Sequence, residues 1–304
     1  MGNSNKYNEP TVDPQTGRTA KTSRPVKTRH TVETSRETKT ELIAKPDSQI
    51  KPTWNDEVPR LILYADFMGF KNRVYSSSHN DLKQNLEKFN DAWHKRLEPL
   101  QLGGDLKFVQ FSDSILVGVN GTSKKMFNLI SKAAISMMHE SLQIKFGIKG
   151  VIAQGIFSFD EKKGLYFGIP LIDAYILHEE IKFYGIVVHH TAENTVKNNL
   201  SRNNPYAKNN IYIEKGKVSH YHLCWNLVDT KLAPNDITPT CNSWLDAIEE
   251  TVSGAPRQYI DRTREIMKND QSELIKNKNA FNTLSEKEDL SESNNDQAQH
   301  KPVA

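Results

Sequence analysis

Apolar positions between residues 59 and 225 recur with spacings that predict alternating strands and helices. The run Leu61-Ile62-Leu63-Tyr64-Ala65 follows Pro59 and is typical of a buried strand. A polar loop is expected over residues 71–80, and a helix over residues 81–97, where apolar residues recur every three or four positions. They are Leu82, Leu86, Phe89, Trp93 and Leu97. The chain therefore opens on a strand followed by an amphipathic helix.

The remaining pattern continues this alternation. The predicted elements are strands over residues 106–111 and 114–119, a helix to about residue 142 with Thr122 or Ser123 as N-cap, a strand over 146–159, a short strand at 166–167, a helix over 171–183, a strand over 185–189, a short helix over 192–198, and strands near 211–213 and 218–223. From about residue 238 weaker apolar stripes predict further helices. The order predicts an α+β fold, a βαββαβ sandwich with helices on one face of a mostly antiparallel sheet and a C-terminal helical appendage.

Composition limits the folded part of the chain. The 304 residues are 37% hydrophobic and 25% charged, and the low mean hydropathy of −0.64 comes mainly from the two ends. Residues 1–57 are rich in Thr, Lys and Arg, and residues 284–304 in Ser, Asn, Asp and Gln. Neither end has enough apolar surface to offset the entropy of ordering, so both are predicted to be disordered tails. A domain over residues 58–225 and a helical C-terminal segment over 236–275 remain.

Charge and hydropathy exclude several partners. The net charge is only +3, and residues 16–29 form a basic stretch without an acid. We expect a solvated tail there and no specific nucleic-acid partner. No run of about 18 apolar residues exists, so no membrane partner is expected. The N-terminus lacks the apolar core of a signal peptide, which favours a cytoplasmic location.

Cysteine and histidine positions argue against a metal finger. The chain has two cysteines, Cys224 and Cys241, without the spacing of a zinc finger or a disulfide framework. His220 and His222 alternate on a predicted strand, and we interpret them as surface or strand-face residues. His189-His190 precedes a short helix, where a packed or capping pair is favoured over a metal role.

Two aspartates carry the strongest chemical signal. Asp66 ends the first apolar strand, and Asp113 lies near the turn between the next two predicted strands. Carboxylates on neighbouring strand ends can hold one or two divalent ions, and oxygen ligands suit Mg²⁺ or Mn²⁺ bound to phosphates. Gly69 lets the backbone approach a phosphate closely. Each aspartate alone could be an ordinary strand-end residue, but the pair favours a site.

These residues resemble a known family. Asp66-Phe67-Met68-Gly69-Phe70 is similar to the D-I-x-G-F signature that opens class III nucleotidyl cyclase domains, and Asp113 matches that family's second metal aspartate. The resemblance covers about residues 59–225. It implies a class III cyclase-like fold in which Asp66, Asp113 and the carbonyl of Phe67 hold two Mn²⁺ or Mg²⁺ ions, with the two aspartates as the catalytic residues.

Other positions depart from the purine-specific members of that family. Leu165 occupies the position where those enzymes place an Asp, Cys or Thr that reads the purine edge, although Lys107 stands at the position of the base-reading lysine. Ile172 and Ile176 replace the family's Asn and Arg, which orient the ribose and stabilise the transition-state charge. These losses imply either a silent cyclase or a branch that supplies the roles differently.

The pattern Y-x-D-x-x-G-F, F-S-D and G-x-P-L-I-D-A-Y is similar to the pyrimidine cyclases of the Pycsar antiphage system, as is the segment of residues 255–259. The resemblance implies a homodimer, with its site at or near the interface, that converts UTP or CTP into cyclic UMP or cyclic CMP and pyrophosphate during abortive infection. A separate effector protein would respond to this messenger. The residues expected to contact the nucleotide are Tyr64, Met68, Gly69, Phe70 and Lys107. Uridylate cyclase is favoured over cytidylate cyclase by family frequency alone.

Three other functions remain open from the sequence. Ile172 and Ile176 are compatible with a catalytically silent, nucleotide-binding or regulatory module. A purine (adenylate or guanylate) cyclase is disfavoured by Leu165. Gly103-Gly104-Asp105 suggests a diguanylate cyclase, but that motif should lie on the turn of a β-hairpin.

Overall fold

The computed structural model describes residues 53–199, 213–215, 218–228, 236–273 and 275. Residues 1–52 and 284–304, with the predicted disordered tails and the basic stretch, lie outside the described residues, as does most of the predicted strand near 211–213. The domain boundaries therefore stay predictions. Among the described residues, no helix combines the length and the apolar character needed to cross a membrane.

Strands and helices alternate largely in the predicted order. The strands are β1 (Pro59–Phe67), β2 (Leu106–Phe111), β3 (Ser114–Val119), β4 (Ile148–Ile156), β5 (Ser158–Asp160), β6 (Leu165–Phe167), β7 (Gly185–Val188), β8 (Ile213–Lys215) and β9 (Tyr221–Leu223). The helices are α1 (Phe70–Ser76), α2 (His79–Gln101), α3 (Lys124–Gln143), α4 (Ile169–Glu180), α5 (Glu193–Asn199), α6 (Ile237–Glu249) and α7 (255–273). A single 3₁₀ turn, His190–Ala192, precedes α5.

A seven-stranded sheet organises the described chain. Its order is β2-β3-β1-β4-β7-β9-β8, and β5 and β6 form a separate hairpin. Among the described strands of this sheet, every pairing is antiparallel except that of β4 with β7. The predicted α+β class, with a mostly antiparallel sheet and C-terminal helices, is confirmed. Because β1 is central, residues at its end have neighbours on both sides: Asp66 lies opposite Ser114 of β3 and Lys149 of β4.

The two faces of the sheet are covered differently. Helices α2, α3 and α6 pack on one face, where Trp93 of α2, Ile130 of α3 and Leu245 of α6 are fully buried in one apolar cluster. Helix α4 packs on the opposite face, where Ala174 lies against Ile62 and its neighbours. The expectation that all helices share one face is therefore wrong for α4. Since α4 is short, the strand ends near Asp66 remain partly exposed on its side.

Helix α1 replaces part of the polar loop expected over residues 71–80. Gly69 adopts φ 75° at its N-cap, which turns the chain sharply after β1. Phe70 then packs against Phe67 and Phe146, with ring centroids 6.5 Å and 6.1 Å away. No residue of the helix is buried, and its other apolar side chains, Val74 and Tyr75, are exposed. Apolar periodicity could not reveal a seven-residue helix in which Phe70 is the one apolar residue packed on the core.

The strand expected over residues 146–159 is interrupted. It breaks at the buried Phe157, whose carbonyl accepts a hydrogen bond of 2.7 Å from Arg60, and resumes as β5. The same arginine donates to the carbonyl of Thr53, and Trp54 donates from Nε1 to the carbonyl of Gly104 at 2.9 Å. Residues 53–57, which fall within the predicted tail, therefore make specific contacts with the sheet.

Candidate active site

The two aspartates lie at the same end of the sheet, where β1 ends and the β2–β3 hairpin turns. Asp66 lies near the end of β1 on the face that carries α4, and Asp113 lies in the two-residue turn between β2 and β3. Ser112 reaches φ 56° in that turn, as tight hairpins require. The backbone N–H of Phe67 donates to the carbonyl oxygen of Asp113 at 3.0 Å. This bond ties the hairpin turn to the end of β1, so both carboxylates share one site.

A chain of hydroxyl groups orients Asp66. Ser114 donates from Oγ to Oδ1 of Asp66 at 3.0 Å, and the hydroxyl of Tyr64 lies 3.2 Å from the same Oγ. Burial raises the pKa of Tyr64, so its hydroxyl stays protonated and can donate to Ser114. Tyr64 thus shares the face of β1 with Asp66, as strand alternation predicted. Ser114 was not predicted, and its only signal was its place directly after Asp113.

The electrostatics of Asp66 favour a bound cation. Burial, followed by the charge of Asp113, raises the pKa of Asp66 to about 6, although the Ser114 hydrogen bond and the nearby Lys149 oppose the shift. Two carboxylates in a half-buried site repel each other, and a divalent ion removes that repulsion. The side chains of Asp66 and Asp113 offer carboxylate oxygens here, and the carbonyl of Phe67 lies at the same strand end. The donor set therefore fits Mg²⁺ or Mn²⁺.

A buried cation also lies beside the site. Lys149 of β4 stands opposite Asp66 in the ladder and is only 6% exposed. Burial lowers the pKa of Lys149, while Glu179 and Asp66 favour its charged form. Sequence reasoning missed this residue. Its signal was a single charged residue inside the apolar strand Ile148-Lys149-Gly150-Val151-Ile152, a pattern that needs a partner for the charge.

The last turn of α4 forms one wall of the site. The ring of Tyr64 meets Tyr175 and His178 with centroids 5.8 Å and 5.2 Å away, both edge to face. Burial and the positive charge of Lys149 lower the pKa of His178 to about 4, so its imidazole is neutral at pH 7. Its Nδ1 lies 3.2 Å from Oε1 of Glu179. An aromatic, uncharged wall therefore adjoins the two carboxylates.

The loop after Asp66 places a left-handed glycine at the start of the short helix α1. The N–H of Met68 already donates to the carbonyl of Gly147 at 2.8 Å. Gly69 and Phe70 lie at the first turn of α1, where backbone N–H groups have no partner within the helix. No atom lies within 4 Å of a Cβ placed on Gly69, so its φ of 75°, and not crowding, requires glycine.

Lys107 is held elsewhere in the protomer. It pairs with Gly118 in the β2–β3 ladder, several residues before the turn that contains Asp113. Its Nζ lies 2.7 Å from Oε2 of Glu161 and 5.2 Å from the ring centroid of Trp54. The structure therefore brings Asp66, Asp113 and Tyr64 together, and it does not bring Lys107 to them within one chain.

The outer surface of α4 is apolar. Ile169, Ile172 and Ile176 are 72%, 61% and 57% exposed, and their spacing places them on one side of the helix. Ile172 and Ile176 are the two positions at which the resemblance noted in the sequence led us to look for Asn and Arg. Leu165 and Phe167 of β6, which leads into this helix, are also half exposed or more. Such a surface on a helix beside the site is typical of a protein–protein contact.

A cavity of about 450 Å³ lies behind the Gly69 loop, where Met68, Gly69 and Arg73 form one side. The other side contains Tyr259 and neighbouring residues of the C-terminal helices. The segment of residues 255–259, singled out by its resemblance to pyrimidine cyclases, therefore borders the same loop as the carboxylate site.

Two other sequence signals have structural roles. Gly104 lies in the turn after α2 with φ 66°, and Asp105 is buried with Nζ of Lys125 3.1 Å from its Oδ2. Because this motif is not on a hairpin turn, the diguanylate cyclase interpretation is wrong. His189 accepts a hydrogen bond at Nδ1 from the backbone of Thr191, so it caps the 3₁₀ turn, as favoured from the sequence.

Comparisons with known proteins give only distant structural matches. No protein-family model and no curated protein matches the chain. The adenylyl cyclase CyaB from P. aeruginosa is 15% identical, with TM-score 0.41, over 57% of this chain and 95% of that chain. The guanylyl cyclase domain of the RhoGC fusion protein from the aquatic fungus Blastocladiella emersonii is 11% identical, with TM-score 0.44, over 55% and 94%. The guanylyl cyclase Cya2 is 13% identical, with TM-score 0.40, over 59% and 98%. Similarity of this size does not assign an activity, so the function depends on the site itself.

Proposed function

We propose that this protein is a nucleotidyl cyclase that converts a pyrimidine ribonucleoside triphosphate, UTP or CTP, into its 3′,5′-cyclic monophosphate and pyrophosphate. The observation that carries the proposal is the pair Asp66 and Asp113 at one sheet edge, close enough that Asp113 raises the pKa of Asp66. This pair lies next to a glycine turn that can receive phosphate oxygens.

Asp66, Asp113 and the carbonyl of Phe67 would hold two Mn²⁺ or Mg²⁺ ions. When bound, such ions lower the pKa of a ribose hydroxyl and neutralise triphosphate charge. The hydrogen bonds from Tyr64 to Ser114 and from Ser114 to Asp66 keep the Asp66 carboxylate in one orientation. The catalytic contribution of the chain is therefore positioning and electrostatics.

The remaining proposed contacts are with the nucleotide. The backbone N–H groups of Gly69 and Phe70 would donate hydrogen bonds to phosphate oxygens. Met68 holds this loop in place through the hydrogen bond from its N–H to the carbonyl of Gly147. Tyr64 would pack beside the nucleotide on the face that it shares with Asp66. Lys107 remains a proposed base contact, and in that role its ammonium would have to exchange the ion pair with Glu161.

We infer that the active form is a homodimer with the site at or near the interface. The apolar side of α4, formed by Ile169, Ile172 and Ile176, is exposed beside the carboxylates in one protomer. A second copy that covers it would bury this surface and close the open side of the site. The roles that Ile172 and Ile176 cannot perform would then fall to residues from either copy.

The pyrimidine preference and the biological role rest on the resemblance. Leu165 can neither donate nor accept a hydrogen bond to a purine edge, which supports UTP or CTP as the substrate. The same resemblance supports a messenger role in antiphage defence, with a separate effector protein activated by the cyclic nucleotide. We also propose that the protein acts in the cytoplasm and has neither a membrane nor a specific nucleic acid as a partner.

The decisive test is product identification. The purified full-length chain is incubated with Mn²⁺ and each of the four ribonucleoside triphosphates, and products are resolved by mass. We expect a cyclic pyrimidine monophosphate that is absent in Asp66→Ala. A cyclic purine product would overturn the pyrimidine assignment. No product from any triphosphate, together with unchanged nucleotide binding in Asp66→Ala, would overturn the enzyme assignment.

A silent binding module is the second candidate, favoured by Ile172 and Ile176 where the family has catalytic side chains. It predicts nucleotide binding without pyrophosphate release. Measurement of metal-dependent pyrophosphate release beside nucleotide affinity separates it from the enzyme.

A further inference from the structure

A second cluster of metal-binding side chains lies far along the chain from the carboxylate site. His222 and Cys224 come from the β9 region, and Asp270 comes from α7. The three residues are 2%, 0% and 1% exposed, and their ligand atoms all lie within 4.8 Å of one another. His222 does lie on a strand, but the prediction that it is a surface residue is wrong, because α7 covers that face of the strand.

The side chains of Asp270 and Cys224 both approach the same nitrogen of His222. Oδ1 and Oδ2 of Asp270 lie 2.9 Å and 3.0 Å from Nε2 of His222, and Sγ of Cys224 lies 4.0 Å from that same Nε2. A catalytic relay needs the carboxylate on one ring nitrogen and the nucleophile on the other. Full burial also keeps substrate away from the thiol. A carboxylate, a thiol and one ring nitrogen that converge on one point are instead arranged as metal ligands are.

The charges of this cluster balance around a divalent cation. An ionised carboxylate and a thiolate carry two negative charges, and a neutral imidazole adds none, so one divalent ion makes the buried group neutral. Neutrality removes the large free-energy cost of burying an isolated charge. Without the ion, Asp270 has only the imidazole as a hydrogen-bond partner among the described residues.

Asn226 brings another buried polar side chain into contact with α7. Asn226 is buried and donates from Nδ2 to the carbonyl of Met267 at 3.4 Å, one helical turn before Asp270. Within the described part of the chain, its Oδ1 is buried without a hydrogen-bond partner. A tetrahedral zinc ion takes a fourth ligand, which this oxygen or a water molecule would supply.

We propose that His222, Cys224 and Asp270 form a structural zinc site that fastens α7 to the sheet. Nitrogen, sulfur and oxygen ligands with a thiolate select Zn²⁺ over Mg²⁺ and Mn²⁺, which prefer oxygen alone. The site is distinct from the carboxylate pair in position and in donor chemistry, and it stands whether or not the chain is a cyclase. Its role is to hold the C-terminal helices, whose residues 255–259 border the Gly69 loop.

Metal content tests this proposal directly. The full-length protein, purified through a tag without histidine and without chelators, is analysed by inductively coupled plasma mass spectrometry. We expect about one zinc per chain in the wild type and in Asp66→Ala, and less than about a tenth of that in Cys224→Ser and Asp270→Asn. Cys241→Ser, which alters the other buried cysteine, is the matched control and should keep its zinc.

Cobalt substitution keeps the test independent of variant folding. Co²⁺ added to metal-free wild-type protein should give a thiolate-to-metal charge-transfer band and the visible bands of a four-coordinate ion, both lost on competition with Zn²⁺. Wild-type protein that holds no zinc and gives no such spectrum would overturn the proposal. Zinc that is retained in both Cys224→Ser and Asp270→Asn would also overturn it, because the ion would then lie elsewhere.

Discussion

The chain contains two clusters of ligand-type side chains that differ in nearly every physical respect. Asp66 and Asp113 are partly exposed, offer only oxygen, and lie on loop and strand ends at the sheet edge. His222, Cys224 and Asp270 are buried, mix three kinds of donor atom, and join a strand to a helix. An exposed oxygen site can exchange ions and admit a triphosphate, whereas a buried mixed site can only hold one ion and thereby hold the fold.

The comparison also explains the different electrostatics. At the carboxylate pair, burial and then the charge of Asp113 raise the pKa of Asp66 to about 6, and Ser114 and Lys149 offset only part of this shift. In the buried cluster, a histidine approaches the carboxylate directly. The raised pKa suits the carboxylate pair to binding ions, whereas the direct histidine contact suits the buried cluster to a structural role.

The largest expected effect is loss of activity at the open site. Asp66→Ala should reduce cyclase turnover by on the order of a thousandfold or more, because metal-based charge stabilisation contributes several kcal/mol. Zinc content should stay unchanged, and the melting temperature at pH 7 should be no lower than that of the wild type. Product formation by mass spectrometry measures the loss, and Asp91→Ala, an exposed change on α2, is the control. Equal turnover in Asp66→Ala and wild type would end the assignment of this site.

A substitution in the buried cluster should lower the stability of the protein and leave its turnover unchanged. Asp270→Ala removes a proposed zinc ligand and leaves the buried His222 without its hydrogen-bond partner, which alone should cost about 1–3 kcal/mol of unfolding free energy. Denaturant unfolding measures this cost. Asp261→Ala, an exposed change on the same helix, should cost little. Turnover per folded molecule should remain near wild type, and a selective loss of turnover in stable Asp270→Ala protein would contradict the division between the two sites.

The open site is expected to need a second copy of the chain. Ile172→Glu places a charge in the exposed apolar side of α4, so we expect a monomer in sedimentation and at least about tenfold lower activity, since a desolvated unpaired charge disfavours association. Leu102→Glu, at an exposed apolar residue after α2, should change neither property. A fully active monomeric Ile172→Glu protein would show that one protomer completes the site.

Lys149 should have a smaller effect on rate and a clear effect on pH dependence. Lys149→Met removes a positive charge that lowers the pKa of Asp66, so that pKa should rise further. We expect roughly a tenfold loss of turnover at pH 7 and an acid limb of the rate profile shifted to higher pH. Lys132→Met, on the other side of the sheet, should leave both unchanged. An unshifted acid limb would remove Lys149 from the site.

The smallest effect concerns stability without Mg²⁺ or Mn²⁺. Because folding raises the pKa of Asp66 to about 6, the folded state binds the proton more tightly than the unfolded state. The contribution of Asp66 to stability is therefore most favourable at low pH and is lost as pH rises through about 6. Asp66→Asn should raise the melting temperature at pH 7 relative to wild type and have less effect near pH 4. Thermal scans at both pH values measure the difference, and equal shifts at the two would refute it.

Much of the architecture followed from local patterns. The strand with Asp66, the hairpin with Asp113 and the helix with Trp93 are each encoded by apolar spacing within a short window. Helix α1 was missed because only Phe70 packs on the core from it, and the contacts of Arg73 with Lys145 and Phe146 leave no apolar pattern in the sequence. The position of α4 on the opposite face was missed because periodicity shows that a helix has an apolar side, and does not show which face of a sheet receives it.

The candidate site divides in the same way. Asp66, Asp113, Tyr64 and Gly69 could be recognised because their signals lie within contiguous motifs. Ser114 and Lys149 could not, because their relevance depends on ladder register, which pairs both with Asp66. Lys107 is the opposite case. Its position in the sequence predicted a base contact, but within the protomer its side chain forms an ion pair with Glu161.

The sequence by itself determined the α+β order of elements, the two carboxylates and the glycine turn, because each depends on neighbours a few residues away. Only the tertiary structure decided which faces of the sheet α4 and α7 cover, and with them the apolar surface beside the carboxylates and the burial of His222 against Asp270. Those contacts join residues that are far apart in the chain. Their free energy comes from packing and desolvation, which no local pattern of residue types records.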